Sequence, residues 1–310
     1  MGTQLWTLSS LGGYFSNNEL SRKIRHAAQP LMKFRQFVDA EPASGRSRGD
    51  KVFFDKISNI STQGGTLSET STIPKRNFTI TQGTLTANEY GNSIPFTLKV
   101  QTLSEVSVPE QIKVVLRNDM AKVLDSAAAT QFKTSDFKAV ATSTSSTVFT
   151  SNGAVTATAS ANMSDKNVRD IIDQLKKRQV PRFDGSNYIS IASTNSIRGL
   201  YDFFEAKVQQ SSLMSQFFNG EIGMYYGCRF IEETNVLSNA LGSGSVFGEA
   251  VFFGADAVRE GIVIPENIRV DVPKDFGRDQ GIAWYALTGF VKTWDFTADG
   301  ETRIIHLTSA

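Results

Sequence analysis

Residues 107–132 read SVPEQIKVVLRNDMAKVLDSAAATQF, and they contain the strongest secondary-structure signal in the chain. Ser107 and Glu110 match a capping box and Pro109 stands in the first turn, so together they predict the start of a helix. Apolar residues then recur at helical spacing at Ile112, Leu116, Met120, Val123 and Ala127. A helix of this span is about 39 Å long, which is suited to the spine of an elongated subunit.

On the N-terminal side of this helix, residues 50–101 have the pattern of strands. The apolar segments 51–54, 78–80 and 94–100 are separated by polar stretches rich in Thr, Ser, Gln and Gly. These strands have too few apolar residues to form a core among themselves, and an isolated hairpin is only marginally stable. We therefore expect an extended β-hairpin that packs on a neighbouring subunit.

Residues 1–49 are typical of an arm, because they combine glycines and asparagines with one short helical patch from Asn18 to Leu31. The other face of the patch carries the cations Arg22, Lys23, Arg25 and Lys33. Two alternatives stay open for this patch: a solvated surface helix, or a helix that docks on a neighbouring subunit.

On the C-terminal side, residues 139–163 are β-branched and small, which fits either strands or an exposed linker. Ser164 then predicts the cap of a helix that reaches Leu175 and ends in the cations 176–178, which favour the helix dipole. A strand at 188–191, a helix at 197–208 and strands at 229–231 and 250–253 follow. This alternation indicates a central sheet flanked by helices.

The last 30 residues are expected to form strands at 282–287, 291–296 and 303–307. Asp299 and Gly300 would form the turn between the last two, so the chain would close in an antiparallel meander. With the central segment, this gives an α+β fold.

Composition excludes several classes of function. The chain has 32 Lys and Arg against 31 Asp and Glu, so no overall field draws in DNA or anionic lipid. With 40% hydrophobic residues it is not a disordered protein. We also expect no signal peptide and no membrane-spanning helix, because no segment has the required apolar run. Cys228 is the only cysteine, so no disulfide can form within the chain.

The residues that carry chemistry do not form a recognisable catalytic pattern. The only histidines are His26 in the arm and His306 in the last strand, so a nucleophilic pair of Cys228 with His306 is a weak alternative to a buried thiol and a strand histidine. The glycines at 242, 244 and 248 miss the dinucleotide-binding spacing by one residue, which favours a loop. We therefore predict no enzyme, and no catalytic, cofactor-binding or metal-binding residues.

Charged clusters receive the same interpretation. The pairs Glu232 with Glu233 and Asp271 with Asp275 lack the context of a calcium loop or a two-carboxylate site, and are expected to be solvated or to bridge subunits. The basic cluster lacks the interleaved aromatic residues of single-strand binders, so loose phosphate contact or ordinary solvation explains it. Its members are Arg46, Arg48 and Lys51.

The order of arm, hairpin, spine helix, α/β segment and closing strands resembles the major capsid protein fold of tailed bacteriophages, also shared by herpesvirus capsid proteins. Certain sequence segments resemble those of the podovirus-type branch of that family. They are Gly12-Gly-Tyr-Phe15, the arm to Phe37, Tyr188-Ile-Ser-Ile-Ala192, the segment 221–234 and Val251-Phe-Phe-Gly-Ala-Asp-Ala257.

The resemblance implies a structural subunit, which self-assembles into pentamers and hexamers of an icosahedral shell around double-stranded DNA. It implies an arm (1–49), an extended loop (50–102), a peripheral domain (103–163 with the closing strands of 272–310) and an axial domain (164–271). The protein would be made in the host bacterial cytoplasm and reside in the virion capsid.

The partners that follow are copies of the chain, a separate scaffolding protein and a portal, with a decoration protein and non-specific contact with packaged DNA as open additions. Some relatives cross-link a Lys to an Asn of a neighbour, and the loop contains Lys56 and Lys75, although no local signature supports such a bond. The alternative function is another β-rich virion component, such as a tail protein or an adhesin.

Overall fold

A computed structural model of the chain describes residues 27–42, 51–58, 64–70, 72–104, 107–155, 157–208, 223–237, 248–273 and 275–310. The strands are β1 (Asp39–Pro42), β2 (Lys51–Ile57), β3 (Ile80–Thr86), β4 (Asn88–Thr97), β5 (Lys138–Ser143), β6 (Ser146–Thr150), β7 (Tyr188–Ala192), β8 (Met224–Tyr225), β9 (Cys228–Glu232), β10 (Gly248–Phe253), β11 (Val258–Val270), β12 (Asp279–Lys292) and β13 (Ile304–Ser309). The helices are α1 (Leu98–Leu103), α2 (Val108–Lys133), α3 (Asp165–Lys177), α4 (Thr194–Val208) and α5 (Phe296–Asp299), with 3-10 turns at Phe34–Phe37 and Asp275–Gly277.

The spine helix is α2, and its predicted span is confirmed at 26 residues. Ser107 is its N-cap residue, but the Ser107 side chain forms no capping hydrogen bond, so the predicted capping box is wrong in that detail. The buried face begins as predicted with Ile112 and Leu116 and then rotates to Leu124, Ala128, Ala129 and Phe132. It rotates because the two halves of α2 cover different sheets.

A seven-stranded mixed sheet has the order β6-β5-β13-β10-β7-β9-β8 and separates two cores. One core lies between the sheet and α3, with Val168, Ile171, Ile172 and Leu175 under the helix. The other lies between the opposite face and the second half of α2, where Phe132 meets Phe253 at 4.8 Å between ring centroids. The predicted central sheet flanked by helices is therefore confirmed.

A four-stranded sheet has the order β1-β11-β12-β4 and supports the first half of α2. Trp284 of β12 is buried under the helix, and its Nε1 donates to Asp119 Oδ2 at 2.9 Å. Asn92 of β4 donates to the same oxygen at 3.0 Å. The spine helix is thus fixed to this sheet by apolar contact and by one shared carboxylate.

The central helices and strands agree with their predictions. Ser164 caps α3 in a full capping box with Asn167, and Lys176 and Lys177 lie in the last turn. The strand at 188–191 is β7, and the helix at 197–208 is the main part of α4. Residues 139–163 contain the antiparallel pair β5 and β6, which decides between strand and linker for the first half of that segment.

The predicted closing antiparallel meander is wrong. Residues 282–287 and 291–292 belong to one continuous strand, β12, and the helical turn α5 follows, with Gly300 as its left-handed C-cap. Strand β13 lies in the seven-stranded sheet between β5 and β10 rather than beside β12. It goes there because both of its faces are apolar, with Ile305 and Leu307 in one core and Ile304 in the other.

Two further strand predictions need correction. The segment 78–80 forms a strand only from Ile80 onward. The segment 94–100 leaves strand β4 at Thr97, whose side chain accepts a hydrogen bond from the backbone N–H of Val100 and so caps α1. The helical patch from Asn18 lies mostly outside the described residues, as do His26, Arg46, Arg48 and the glycines at 242 and 244.

Candidate functional site

The structure does not bring Cys228 and His306 together. Cys228 lies in β9 and His306 in β13, with β7 and β10 between them, and they belong to opposite faces of the sheet. Cys228 is buried in the core under α3, and this burial raises the pKa of its thiol well above the ordinary range. A thiol in that state is packing rather than a nucleophile.

His306 is part of a buried polar cluster at the end of the spine helix. Its Nε2 lies 3.6 Å from Glu249 Oε1, and its Nδ1 lies 3.4 Å from the ammonium nitrogen of Lys138. Glu249 also pairs with Lys133 at 2.7 Å. Burial lowers the pKa of His306, so the ring is neutral near pH 7 and helps to join β13 to α2.

The candidate carboxylates have structural partners. Glu233 is fully buried and accepts the backbone N–H groups of Asn235, Val236 and Leu237, so it shapes the loop after β9. Glu232 hydrogen-bonds to Thr194. Asp275 pairs with Arg278 at 3.2 Å within one turn.

Among the described residues, no group of three or more His, Cys, Asp and Glu side chains is arranged to hold a metal ion. In the same part of the chain, we find no helix with the length and apolar character needed to cross a lipid bilayer.

The β2–β3 hairpin carries the clearest feature for association. Its inner face is anchored at the base by Leu85, which is only 3% exposed. Leu85 lies over Gly261 and Gly289, which face each other across β11 and β12. A Cβ at Gly261 would come within 2.8 Å of Leu85, so the missing side chains form the hole that receives it.

An ion pair and cation–π contacts hold the middle of the hairpin's inner face against the rest of the chain. Lys56 Nζ pairs with Asp299 Oδ2 at 2.6 Å and lies 5.9 Å from the centroid of the Trp294 ring. One step toward the base, the Phe54 ring covers Gly83 and stands 5.2 Å from the Arg259 guanidinium. Lys56 is therefore occupied within its own chain, whereas Lys75 is exposed in the segment after the hairpin's first strand.

The outer face of the hairpin is apolar and uncovered. Phe53, Ile57 and Ile80 are 56%, 63% and 57% exposed, and Ile57 and Ile80 are direct cross-strand partners. Leu67, Ile73 and Phe78 of the neighbouring segments are exposed as well. A concentration of this kind marks an interaction surface. We call Phe53, Ile57 and Ile80 the hairpin outer face.

The arm is anchored to the spine helix. Phe34 is fully buried against Phe132, and the backbone N–H of Arg35 donates to the buried carboxylate of Asp125 at 3.0 Å. The Arg35 guanidinium pairs with Glu260 and Glu266 of β11 at 2.9 and 2.8 Å. Beyond it, β1 runs parallel to β11 as the edge strand of the four-stranded sheet.

Sequence reasoning predicted the hairpin and the arm but missed their anchors. Leu85, Gly261 and Gly289 are far apart in sequence, so no local pattern connects them. The turn after β11 was also missed, although Asp275-Phe-Gly277 is a turn signal, and it projects Phe276 into solvent.

Comparison with proteins of known structure identifies the fold. No protein-family model matches the chain, and no curated protein matches it. Solved structures do match. The capsid of Helicobacter pylori bacteriophage KHP30 aligns with a TM-score of 0.71 at 13% identity, covering 100% of this chain and 99% of that chain.

The capsid of Ralstonia phage GP4 aligns with a TM-score of 0.67 at 13% identity, covering 98% of each chain. A structure from Mycobacterium phage Che8 aligns with a TM-score of 0.68 at 13% identity, covering 95% of this chain and 97% of that chain. The chain therefore has the tailed-phage capsid fold along nearly its whole length, and the predicted α+β class is confirmed.

Proposed function

We propose that this protein is a major capsid protein, which self-assembles into pentamers and hexamers of an icosahedral shell that encloses a packaged double-stranded DNA genome. The single observation that carries the proposal is the alignment of almost every residue with capsid chains of several phages. The uncovered hairpin outer face supports it, because a subunit of a shell must keep apolar surface for its neighbours.

The parts of the chain have corresponding roles in this proposal. Residues 1–49 are the arm, 50–102 the extended loop, 103–163 with 272–310 the peripheral domain, and 164–271 the axial domain that meets its copies around the five- and six-fold axes. Both large sheets draw strands from more than one of these segments, so the two domains fold together.

The role is structural, and the proposed partners are the other subunits of the shell, a scaffolding protein and a portal. A neutral chain suits this role, because non-specific contact with DNA on the inside needs no strong overall field. The proposed location is the virion capsid after synthesis in the host bacterial cytoplasm.

The test is assembly of the full chain, expressed alone and with its scaffolding protein, followed by negative-stain electron microscopy and light scattering. Uniform closed shells tens of nanometres across are expected. Trimers or small rings under both conditions would overturn the proposal and favour the tail-protein or adhesin function.

Two matched variants test whether the hairpin outer face is needed for shell assembly. Phe53→Ser removes the largest side chain of the hairpin outer face, whereas Thr84→Ser changes the polar residue directly opposite on the same face. We expect Phe53→Ser to give folded subunits that assemble poorly and Thr84→Ser to assemble normally. Equal assembly of both variants would remove this face from the proposal.

A further inference from the structure

The end of the four-stranded sheet where β11 leads into β12 carries a second uncovered apolar surface. Its members come from α1, from the last residue of β11 and from the connection between β11 and β12, and we call them the tip patch. They are Leu98, Val100, Leu103, Val270, Val272 and Phe276. The backbone N–H of Leu98 donates to the carbonyl of Arg278 at 2.9 Å, so both parts form one surface.

The turn that presents Phe276 is strained. Asp275 and Phe276 have φ values of 48° and 55°, and Gly277 follows at 89°. Side chains with a Cβ avoid this left-handed region, and two in succession cost free energy. The turn is held by the Asp275–Arg278 ion pair and by the backbone hydrogen bond from Arg278 to Asp275 at 3.0 Å.

This turn holds Phe276 clear of the described part of its own chain. Its relative exposure is 105%, so the ring projects completely into solvent. A large aromatic ring presents roughly 200 Å² of apolar surface, and isolated chains gain nothing from displaying it. Strained backbone that displays an aromatic side chain is typical of a group that binds elsewhere.

A groove suitable for such a ring lies beside the turn. It has a volume of about 540 Å³ and is lined by α1 and the start of β12. Leu98 and Leu103 form its apolar part, while Lys99, Arg278 and Asp279 are charged groups on its lining. Phe276 is not among the residues that line this groove in its own chain.

The charges at this end favour a second copy as the occupant. Among the described residues, three cations (Lys99, Arg269 and Arg278) stand with three carboxylates (Asp271, Asp275 and Asp279). A balanced surface has no preference for an acidic partner such as DNA or for a basic one. It is compatible with itself, since each copy offers both signs beside the same apolar residues.

We propose that Phe276 of one subunit inserts into the α1 groove of a second copy. The ring and the groove are different parts of the same end, so the contact is heterologous and passes from copy to copy until a ring closes. This inference rests on the proposed function and identifies one contact between subunits by its residues, with Phe276 as the anchor and Leu98 and Leu103 as its receptor.

Substitution of Phe276 tests the anchor. Because the ring is fully exposed, Phe276→Ser should unfold at the same urea concentration as the unmodified protein. In the assembly reaction, Phe276→Ser should raise the concentration needed for shells about tenfold, as loss of an aromatic anchor does. Phe276→Leu keeps apolar bulk and is expected to assemble nearly normally. Assembly of Phe276→Ser at the original concentration would overturn the proposal.

Cross-linking tests the pairing of ring and groove. The variants Val272→Cys, four residues before Phe276, and Leu103→Cys, in the groove, are purified separately, mixed and assembled. Val272 and Leu103 are both exposed, whereas Cys228 is buried and is not expected to react with the cross-linking reagent. A short bismaleimide reagent followed by mass spectrometry should join the peptides that contain positions 272 and 103 in the mixture, and unassembled subunits should give no such product.

Shells without this cross-link would overturn the inference while leaving the proposed function intact. Small rings that carry the cross-link would support the contact and overturn the proposed function. Subunits that stay monomeric at every concentration, with and without scaffolding protein, would overturn both.

Discussion

The anchor of the hairpin can be tested by a double-mutant cycle. Leu85→Ala removes most of a side chain that is 3% exposed and should destabilise the packing of β2 and β3 on the sheet by about 2–3 kcal/mol. Gly261→Ala alone should cost about 1–3 kcal/mol, because the new Cβ would meet Leu85 at 2.8 and 3.2 Å.

The double variant should cost less than the sum of the single variants. The three nearest atoms that a Cβ at Gly261 would meet all belong to Leu85, so Leu85→Ala makes room for the methyl group that Gly261→Ala introduces, and the expected coupling is about 1 kcal/mol or more. Gly289→Ala is the matched control. Its Cβ would also overlap the backbone oxygen of Thr86, which Leu85→Ala does not move, so little relief is expected there.

Two measurements decide the cycle. Urea unfolding followed by tryptophan fluorescence gives the free energy of the whole fold, and hydrogen exchange of the backbone amides of β2 and β3 gives the local opening of the hairpin. Strictly additive losses for Leu85→Ala and Gly261→Ala, or equal relief at Gly261 and Gly289, would show that Leu85 does not occupy the glycine hole.

Three further predictions concern the body of the protein. Leu116→Asp should destabilise the fold by more than about 4 kcal/mol, because it places a charge in the core under α2, whereas Val115→Asp on the exposed side should stay within about 1 kcal/mol in urea unfolding. Burial raises the pKa of Asp125 above 3.8. The contribution of the protonated Asp125 carboxyl to the free energy of unfolding is therefore complete below pH 3.8 and is lost as pH rises through the folded pKa. Asp125→Asn should remove this part of the pH dependence of stability. Burial lowers the pKa of His306 below 6.5, so its contribution is present above pH 6.5 and is lost as pH falls through the folded pKa; urea midpoints of His306→Gln should lack that acidic slope.

The sequence was informative where local signals and burial agreed. The long helix α2 and the capped helix α3 both combine a start signal with an apolar stripe, and both occur where predicted. The strand β7 is apolar on both faces because it lies inside the seven-stranded sheet. In these elements the local pattern and the tertiary environment require the same residues.

Prediction failed where tertiary contacts decide the structure. Strand β11 was missed because its sequence includes Gly261, Pro265 and Asn267, which are weak strand formers, and its pairing with β12 contains two register shifts. Residues 282–287 and 291–296 were predicted as separate strands, yet Gly289 between them lies inside β12, where Leu85 packs against it. Such residues are chosen by a neighbour distant in sequence.

The energetics of the hairpin outer face explain why this protein would act only as one of many copies. Phe53, Ile57 and Ile80 are already about 40% buried, so covering the rest gains about 1–2 kcal/mol each. One hairpin then contributes about 3–6 kcal/mol, which lies at the low end of the roughly 4–15 kcal/mol that association of two bodies costs. A pair of subunits joined by one hairpin would therefore dissociate.

A closed arrangement, in which every subunit both covers a neighbour and is covered, places several such contacts on each subunit, while the free-energy cost of association is incurred only once for each subunit. The anchors at Lys56, Leu85 and Arg35 serve this requirement, because they fix the direction of the hairpin and of the arm before any neighbour is present.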